Sequence, residues 1–430
     1  MASDLYAQYT EAYRNLELFP LYDSEAIARF RIAYGQRTLA KLKNEVLASG
    51  EAGKLIFTGH RGCGKSTLLA QLAAQMREAG LFVTGYSIAD TVEPSDINHI
   101  NILYSIALQL LEQAVKYDVP IPEERKTTLI NWFAETKSRV YVDQLKQEMS
   151  VGANFFDFFT GKLQKEGSFR EEIRQTYERR VSDLSNQIDL IAGAIKAATR
   201  KEVFVIIDDL DKLDLSVVKA IFQDNIRALF SPNIRVLFTI PIAVMREPGI
   251  LMTLETQSHP IMLSVTKFYP LAQARQPDAV PIAENVDMLK EILEKRILDS
   301  LIEPGIKQEI VLLSGGVLRE LVRLGQECCR ECLLELELDP KRADIKIDRA
   351  ILSEAVKSLR NQFARPLGSD AYNLLVETYR QFTPPDAGSE AFLELLHGLY
   401  VLEYENDDLW YDLHPMVKDL LRRKKLIEGA

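Results

Sequence analysis

The chain has 430 residues, of which 47% are hydrophobic and 27% charged, and its formal net charge is −10. This length predicts two or three domains, and the composition is that of an ordinary soluble globular protein. The acidic balance argues against a protein that coats nucleic acid non-specifically. No apolar run approaches the ~18 residues of a membrane span and no secretion signal is visible, so we expect a cytoplasmic protein without a membrane partner.

Residues 1–50 are predicted to form an N-terminal helical segment, in which residues 36–47 give the clearest helix. The segment leads into the most specific motif of the chain. Residues Gly59–Ser66 match G-x-x-x-x-G-K-[ST] at every fixed position. An apolar run at residues 55–58 predicts a strand before the motif, and residues 67–73 predict a helix after it. A strand, a glycine loop and a helix in this order are the context that a phosphate-binding loop requires.

The chemistry of this loop follows from its residue types. Glycines let backbone N–H groups converge on phosphate oxygens, and the helix that follows points its positive end at the same phosphates. Lys65 supplies a charge to the β- and γ-phosphates, and Ser66 offers a hydroxyl to Mg²⁺. The residues predicted to hold the nucleotide are Gly59, Arg61, Gly62, Cys63, Gly64, Lys65, Ser66 and Thr67.

A second strand is predicted at residues 81–87, and a long insertion follows it. The spacing from Lys65 to Asp208 exceeds what two strand-helix-strand units of about 30 residues each would use. We therefore predict a helical insertion at about residues 118–198. Apolar residues recur at spacings of three and four from Phe169 to Ile195, which predicts one continuous helix at the end of the insertion.

The next apolar run, Val203–Ile207, predicts a strand that is buried on both faces, as in a parallel sheet. Asp208 and Asp209 follow it, at the end of the strand where ligands bind. We expect Asp208 to hold magnesium through a coordinated water and Asp209 to act as the base that orients an attacking water. The alternative is that both acids only end a strand and begin a turn.

A further buried strand is predicted at residues 234–241, with Thr239 at its C-terminal end. The Thr239 hydroxyl is placed to bond a γ-phosphate or the attacking water. The alternative interpretation is an ordinary β-branched strand residue.

Residues 266–345 are predicted to form a helical lid. Ser314 and two glycines open one of its helices, and Arg319 lies in the first turns of that helix. An arginine there can donate two parallel hydrogen bonds to a phosphate. The alternative is an arginine on a solvent-exposed helix face. Three cysteines farther along the lid share a helical pattern without a second ligand pair, so they are interpreted as packed helix residues. They are Cys328, Cys329 and Cys332.

Residues 346–430 are predicted to form a separate unit of three helices followed by a β-hairpin, which is the order of a winged-helix domain. Such domains bind DNA in some proteins and act as packing modules in others. The acidic turn at residues 405–408 would repel phosphates, and the basic run at residues 422–425 would attract them. Docking is therefore favoured, and DNA contact stays open.

Together these pieces resemble the AAA+ and STAND branch of P-loop ATPases, and in particular a poorly characterised bacterial group of AAA-family ATPases. In this resemblance Gly59–Ser66 is Walker A, Phe204–Asp209 is Walker B, Thr239 is sensor 1 and Ser314–Arg319 contains sensor 2. The resemblance implies an α/β fold with a three-layer αβα core and parallel sheet at residues 51–265, followed by the lid and the winged helix. It also implies ATP and Mg²⁺ as cofactors and catalytic roles for Asp209, Thr239 and Arg319.

One departure from the family pattern bears on the rate of hydrolysis. Many AAA+ motors carry Asp-Glu where this chain has Asp208 and Asp209. The shorter aspartate displaces a water-orienting group by about an ångström, which can cost on the order of 100-fold in rate. We therefore expect an ATPase with slow turnover.

The resulting expectation is a switch that binds ATP or ADP and couples nucleotide state to a protein partner or to homo-oligomer formation. The alternatives are an origin-recognition-like, ATP-dependent DNA-binding loader and a scaffold that holds nucleotide permanently.

Overall fold

The computed structural model describes residues 2–18, 21, 24–120, 152–255, 258–276, 278–340, 342, 344–405 and 409–428. The chain divides into two compact units. Unit 1 comprises Met1–Gln36, Gly59–Thr67 and Leu263–Ala430, and unit 2 comprises Arg37–Thr58 and Leu68–Met262. The predicted phosphate loop therefore groups with the C-terminal part of the chain. The four predicted domains, residues 1–50, 51–265, 266–345 and 346–430, stay predictions.

Unit 2 is built on a five-stranded parallel sheet with the strand order β2-β3-β4-β1-β5. The predicted α/β fold with a parallel sheet is thereby confirmed. Every residue of β3 and β4 is buried, as expected for apolar strands covered on both faces. The strands are β1 Lys54–Gly59, β2 Phe82–Ser87, β3 Val203–Asp208, β4 Arg235–Pro241 and β5 Ile261–Leu263.

The helices that precede β5 in the chain include those of the predicted N-terminal segment and those of the predicted insertion. A π-helical turn, Ala220–Asp224, lies between β3 and β4. In chain order the helices are α1 Ala2–Asn15, α2 Ser24–Phe30, α3 Gln36–Ala48, α4 Lys65–Glu78, α5 Ile88–Thr91, α6 His99–Lys116, α7 Gly152–Lys165, α8 Gly167–Tyr177, α9 Val181–Thr199, α10 Leu215–Lys219, α11 Ile226–Leu229 and α12 Pro248–Glu255.

The insertion differs from its prediction in one respect. The prediction of a single helix through residues 169–195 is wrong, because α8 ends at Tyr177 and α9 begins at Val181. Arg180 between them has φ −137° and ψ 36°, which is not helical. Both α8 and α9 pack against α6, so both helices keep apolar residues at helical spacing. This spacing therefore gives no sign of the break between them. Residues 121–151 of the predicted insertion lie outside the described residues.

Unit 1 contains the remaining helices and a two-stranded antiparallel sheet. Its strands are β6 Val401–Glu405 and β7 Leu409–Leu413. Its helices after the phosphate loop are α13 Ala283–Glu294, α14 Ile306–Leu313, α15 Leu318–Leu338, α16 Arg349–Ala364, α17 Ser369–Gln381, α18 Glu390–His397 and α19 Pro415–Arg423. The order of three helices and a hairpin that the sequence predicts for residues 346–430 is thus observed.

The long helix α15 of unit 1 packs against both α1 and α16. The hydroxyl of the buried Tyr9 on α1 donates to the carbonyl oxygen of Leu301 at 2.9 Å. Cys328, Cys329 and Cys332 on α15 are fully buried, and burial raises the pKa of the Cys332 thiol to about 12. These thiols therefore stay protonated and pack in the core, as predicted. In the part of the chain that the structure describes, no helix is long and apolar enough to cross a membrane.

The turn before α15 generates a test of this packing. Gly316 has φ 84°, and a Cβ on it would lie 1.8 Å from the carbonyl oxygen of Thr266. We expect Gly316→Ala to lower the free energy of unfolding by at least about 3 kcal/mol, because both the backbone conformation and the contact forbid a side chain. The control Gly368→Ala, at a glycine with nothing within 4 Å, should cost about 1 kcal/mol or less. Urea unfolding measures both, and equal midpoints for the two variants would contradict this account.

Candidate functional site

The glycine loop connects β1 to α4, since β1 ends at Gly59 and α4 begins at Lys65. Gly62 has φ 78° and Gly64 has φ 97°, in the left-handed region that side chains rarely adopt. A Cβ on Gly62 would lie 2.5 Å from the Cβ of Arg319. Glycine is therefore required at position 62 both by the turn and by the close approach of Arg319 at the start of α15.

The ammonium group of Lys65 is bound by the loop itself. Lys65 is only 5% exposed, and its Nζ donates to the carbonyl oxygens of Gly59 at 2.8 Å and His60 at 2.9 Å. These two bonds hold the lysine within the turn. A charged donor in this position is available to exchange carbonyl oxygens for stronger, anionic acceptors.

The other predicted loop residues surround this lysine in sequence. Cys63 is fully buried, while Arg61, Ser66 and Thr67 are half-buried. The hydroxyl of Thr67 accepts a hydrogen bond from the backbone N–H of Leu21 at 3.3 Å.

The predicted sensor arginine meets the loop through its backbone. The N–H of Arg319, at the start of α15, donates to the carbonyl oxygen of Gly62 at 2.9 Å. Arg323, one turn farther on, forms an ion pair with Glu320 and donates to Gln362. The structure therefore brings Arg319 to the glycine loop and engages Arg323 elsewhere.

His60, a loop residue for which the sequence predicts no role, joins the loop to the C-terminal hairpin. His60 is completely buried, and its Nε2 accepts a hydrogen bond from the backbone N–H of Glu403 in β6 at 2.8 Å. The hydroxyl of Tyr404, the next residue of β6, donates to the carbonyl oxygen of Gly315 at 3.1 Å. The C-terminal hairpin thus holds both the glycine loop and the turn before α15. Position 60 is variable in the motif, so no sequence signal could have revealed this contact.

The environment of His60 suppresses its protonation. Burial, the positive charge of Lys65 and the neighbouring His414 lower the pKa of His60 to about 3. The neutral ring is the form that accepts the hydrogen bond from Glu403, because a protonated imidazole has no free lone pair.

Unit 2 contains the predicted acidic residues at the C-terminal end of β3. Asp208 is 7% exposed, and its Oδ1 accepts a hydrogen bond from the backbone N–H of Asp209 at 2.8 Å. Asp208, Asp209 and Asp211 each offer a carboxylate oxygen, and these oxygens lie within 4.8 Å of one another. The group is buried, so its charges are poorly screened and favour a cation.

Asp209 and Thr239 have partners of their own in this unit. Asp209 adopts φ 69°, and its Oδ2 accepts a hydrogen bond from the hydroxyl of Ser87 at 2.7 Å. The Thr239 hydroxyl accepts from the backbone N–H of Leu210 at 3.2 Å and so fixes the turn that follows β3. The structure brings Asp208, Asp209 and Thr239 together, and it gives Asp209 and Thr239 structural hydrogen bonds that the sequence does not predict.

Both groups of residues fit the ligands that the sequence predicts. The left-handed glycines form a turn that a Cβ would fill, as a loop that approaches a phosphate closely requires. The three clustered carboxylates supply oxygen ligands, which Mg²⁺ prefers.

A parallel sheet of this strand order, whose first strand runs through a G-x-x-x-x-G-K-S turn into a helix, defines a P-loop nucleotide-binding fold.

Comparison with solved structures returns proteins of low sequence identity that align with most of the chain. The Walker-type ATPase PABY2304 of Pyrococcus abyssi is 15% identical, with a TM-score of 0.45 over 95% of this chain and 99% of that one. Cdc6p from Pyrobaculum aerophilum is 12% identical, with a TM-score of 0.39 over 95% and 96% of the two chains. The Aeropyrum pernix ORC1 protein, solved in complex with DNA, is 12% identical, with a TM-score of 0.40 over 96% and 97%.

Sequence comparison matches a smaller part of the chain. The family model described as mitochondrial ribosomal death-associated protein 3 matches residues 35–90, which include the glycine loop. No curated protein matches the chain.

The buried His60 generates a prediction about pH. The unfolded chain takes up a proton at this histidine below its ordinary pKa of 6.5, whereas the folded protein does so only near pH 3. Stability due to His60 is therefore complete above pH 6.5 and is lost as the pH falls. We expect His60→Gln, which keeps an acceptor for Glu403, to reduce the loss of unfolding free energy between pH 6 and pH 4 by about 1.4 kcal/mol per pH unit.

Urea unfolding at several pH values measures this difference between the wild type and the variant. The exposed His259 supplies the control, and His259→Gln should keep the pH dependence of the wild type. Parallel stability curves for the wild type and His60→Gln would show that His60 is not shielded from protonation.

Proposed function

We propose that this protein is a slowly hydrolysing ATPase of the AAA+/STAND type, which couples its nucleotide state to a protein partner or to self-assembly. The observation that carries the proposal is the hydrogen bond from the Arg319 N–H to the Gly62 carbonyl oxygen at 2.9 Å. This bond joins the loop that would hold the phosphates to the first turn of a lid helix. A change in the loop on nucleotide binding therefore reaches the lid directly, which is the coupling that a switch needs.

Each loop residue has a definite task in this proposal. Lys65 exchanges its bonds to the carbonyl oxygens of Gly59 and His60 for bonds to the β- and γ-phosphates. Ser66 and Asp208 hold Mg²⁺, which neutralises phosphate charge when bound. The remaining nucleotide contacts come from Gly59, Arg61, Gly62, Cys63, Gly64 and Thr67, with Arg319 binding the γ-phosphate from the lid.

The sheet topology supports the proposed roles of Asp208 and Thr239. In a parallel sheet the C-terminal ends of all strands lie at one edge, and ligands bind there. Asp208 ends β3, and β1 runs without interruption into the glycine loop. β4, which carries Thr239 at its C-terminal end, lies between β1 and β3 in the sheet.

The hydrogen bonds of Asp209 support slow hydrolysis. Its Oδ2 is occupied by the Ser87 hydroxyl, and its carboxylate also pairs with Lys212. Asp209 must give up these interactions before it can orient a water molecule as the base. The Thr239 hydroxyl is likewise engaged with the turn after β3. The cost of releasing these groups adds to the shorter reach of aspartate, and both reduce turnover.

The second candidate function is an ATP-dependent DNA-binding loader. Arg423, Lys424 and Lys425 are exposed at the end of α19, and a cluster of cations is the usual contact for phosphates. The same helix buries Met416, Val417, Leu420 and Leu421, which supports a role in internal docking. Duplex DNA binding that weakens with salt, and that is lost when the three exposed cations are replaced by Gln, would favour the loader.

Nucleotide binding is tested first. We expect Lys65→Ala to weaken Mg-ATP binding by about 100-fold or more, because two charge-assisted hydrogen bonds to phosphate oxygens are lost. Isothermal titration calorimetry measures the affinity, and Lys41→Ala, at an exposed lysine of α3, is the matched control. Wild-type protein that gives no heat with Mg-ATP would refute the proposed function.

Hydrolysis is tested through Asp209 and its partner. We expect Asp209→Ala to lower the single-turnover rate by about 10- to 100-fold, since the base is removed. Ser87→Ala should raise the rate by roughly threefold to tenfold, because it frees the Asp209 carboxylate from a hydrogen bond of about 1 kcal/mol. Identical rates in the wild type and Asp209→Ala would exclude Asp209 as the base.

A further inference from the structure

A second candidate site lies within unit 1, in a cavity of about 530 Å³. Residues of the lid helix α14, of α16, of α17 and of the C-terminal helix α19 line it, together with the segment that contains Tyr269 and Arg275. None of the lining residues belongs to the glycine loop or to the acidic end of β3. The volume falls within the range of about 300–1,000 Å³ that is typical of small-molecule sites.

The lining of this cavity is basic, although the protein carries a net charge of −10. It contains five cationic side chains and two carboxylates, Glu309 and Asp419. The cationic residues are Arg275, Arg349, Lys418, Arg422 and Arg423. The local excess of positive charge would attract an anion and repel a cation.

Some of these charges are already neutralised by neighbours. Glu309 pairs with Arg349, and Asp419 pairs with Arg423 at 3.1 Å. Lys418 pairs with Asp412. These ion pairs use both carboxylates of the lining, so the remaining arginines depend on other partners.

Arg422 is the less satisfied of the two that remain. It is half-buried, forms no ion pair with any residue that the structure describes, and its Nε is buried without a hydrogen-bond partner. A buried donor without an acceptor costs about 1–3 kcal/mol, and more when the group is charged. An anionic ligand that accepts from Arg422 would recover this energy.

The Arg275 guanidinium is positioned mainly by two aromatic rings, and its contact with a carboxylate is long. Its guanidinium lies 4.0 Å from the ring centre of Tyr379 and 3.4 Å from that of Phe382. Its contact with the Asp412 carboxylate is long, at 3.4 Å, and its Nε is buried without a hydrogen-bond partner. The stacked rings fix the plane of the guanidinium, which preorganises it for a planar or phosphate acceptor.

We propose that this cavity binds a small phosphorylated ligand of about dinucleotide size, with its phosphates at Arg275 and Arg422 and its ring portion beside Tyr269 and Tyr379. Several cations around one concave site suit a ligand with more than one negative charge, and arginine forks match phosphate oxygens bidentately. The tyrosines offer apolar ring faces to a base or sugar. This site goes beyond the proposed function and does not rest on it.

The test measures ligand binding in a variant whose glycine loop binds phosphates only weakly. Titration calorimetry is carried out on Lys65→Ala with two probes, a 5′-phosphorylated diadenylate and inorganic tripolyphosphate. We expect one site per chain for the diadenylate. Arg422→Gln and Arg275→Gln, each added to Lys65→Ala, should weaken it by about tenfold or more, since each removes a charge-assisted contact.

The control is Arg365→Gln in the same background, because Arg365 is an exposed arginine beyond the end of α16 that does not line the cavity. It should leave the affinity unchanged. Urea unfolding of each variant checks that it is folded, and Arg422→Gln still decides the question if Arg275→Gln fails to fold.

Three outcomes would overturn the proposal. The first is the absence of heat with both probes, and the second is equal affinity in the folded Arg422→Gln variant and its parent. The third is binding of a 20-base-pair DNA duplex without binding of the diadenylate, which would assign the basic residues to a nucleic-acid backbone. A failure of the nucleotide-binding function is distinguished by the separate titration of the wild type with Mg-ATP.

Discussion

A hydrogen bond from the Arg319 N–H to the Gly62 carbonyl oxygen joins the start of α15 to the glycine loop. It exists because Gly62 carries no Cβ, which would otherwise lie 2.5 Å from the Cβ of Arg319. The same glycine therefore provides the left-handed turn of the loop and admits the start of α15. A side chain at position 62 that preserved the turn would still clash with Arg319.

The C-terminal hairpin adds a second attachment to the same loop. Glu403 donates to His60, and Tyr404 donates to Gly315 in the turn that leads into α15. Buried hydrogen bonds thus hold the hairpin to the glycine loop and to the turn before α15, and such bonds are costly to leave unmade. This arrangement explains why the loop groups with the C-terminal part of the chain and supports its proposed role as the sensing element of a switch.

The two candidate sites differ in how their charges are balanced. In the acidic group at the end of β3, Asp209 is held by Ser87 and Lys212, which restrains a carboxylate that catalysis would require. In the basic cavity, Arg422 and Arg275 have buried Nε atoms without hydrogen-bond partners, so an anion is the missing component. In the first site Asp209 must be released from its partners, and in the second two arginines each have one nitrogen without a hydrogen-bond acceptor.

The sequence predicts β1 to β4, the glycine loop and the acids after β3, because buried parallel strands and phosphate loops depend on local residue types and short spacings. It does not predict the short strand β5. It could not determine the break between α8 and α9, since both halves pack on α6 and keep one apolar spacing. The hydrogen bonds that join His60 to Glu403 and Arg319 to Gly62 likewise depend on how the folded chain packs. Those contacts join the glycine loop to residues far along the chain, and no local pattern encodes a contact at such separation.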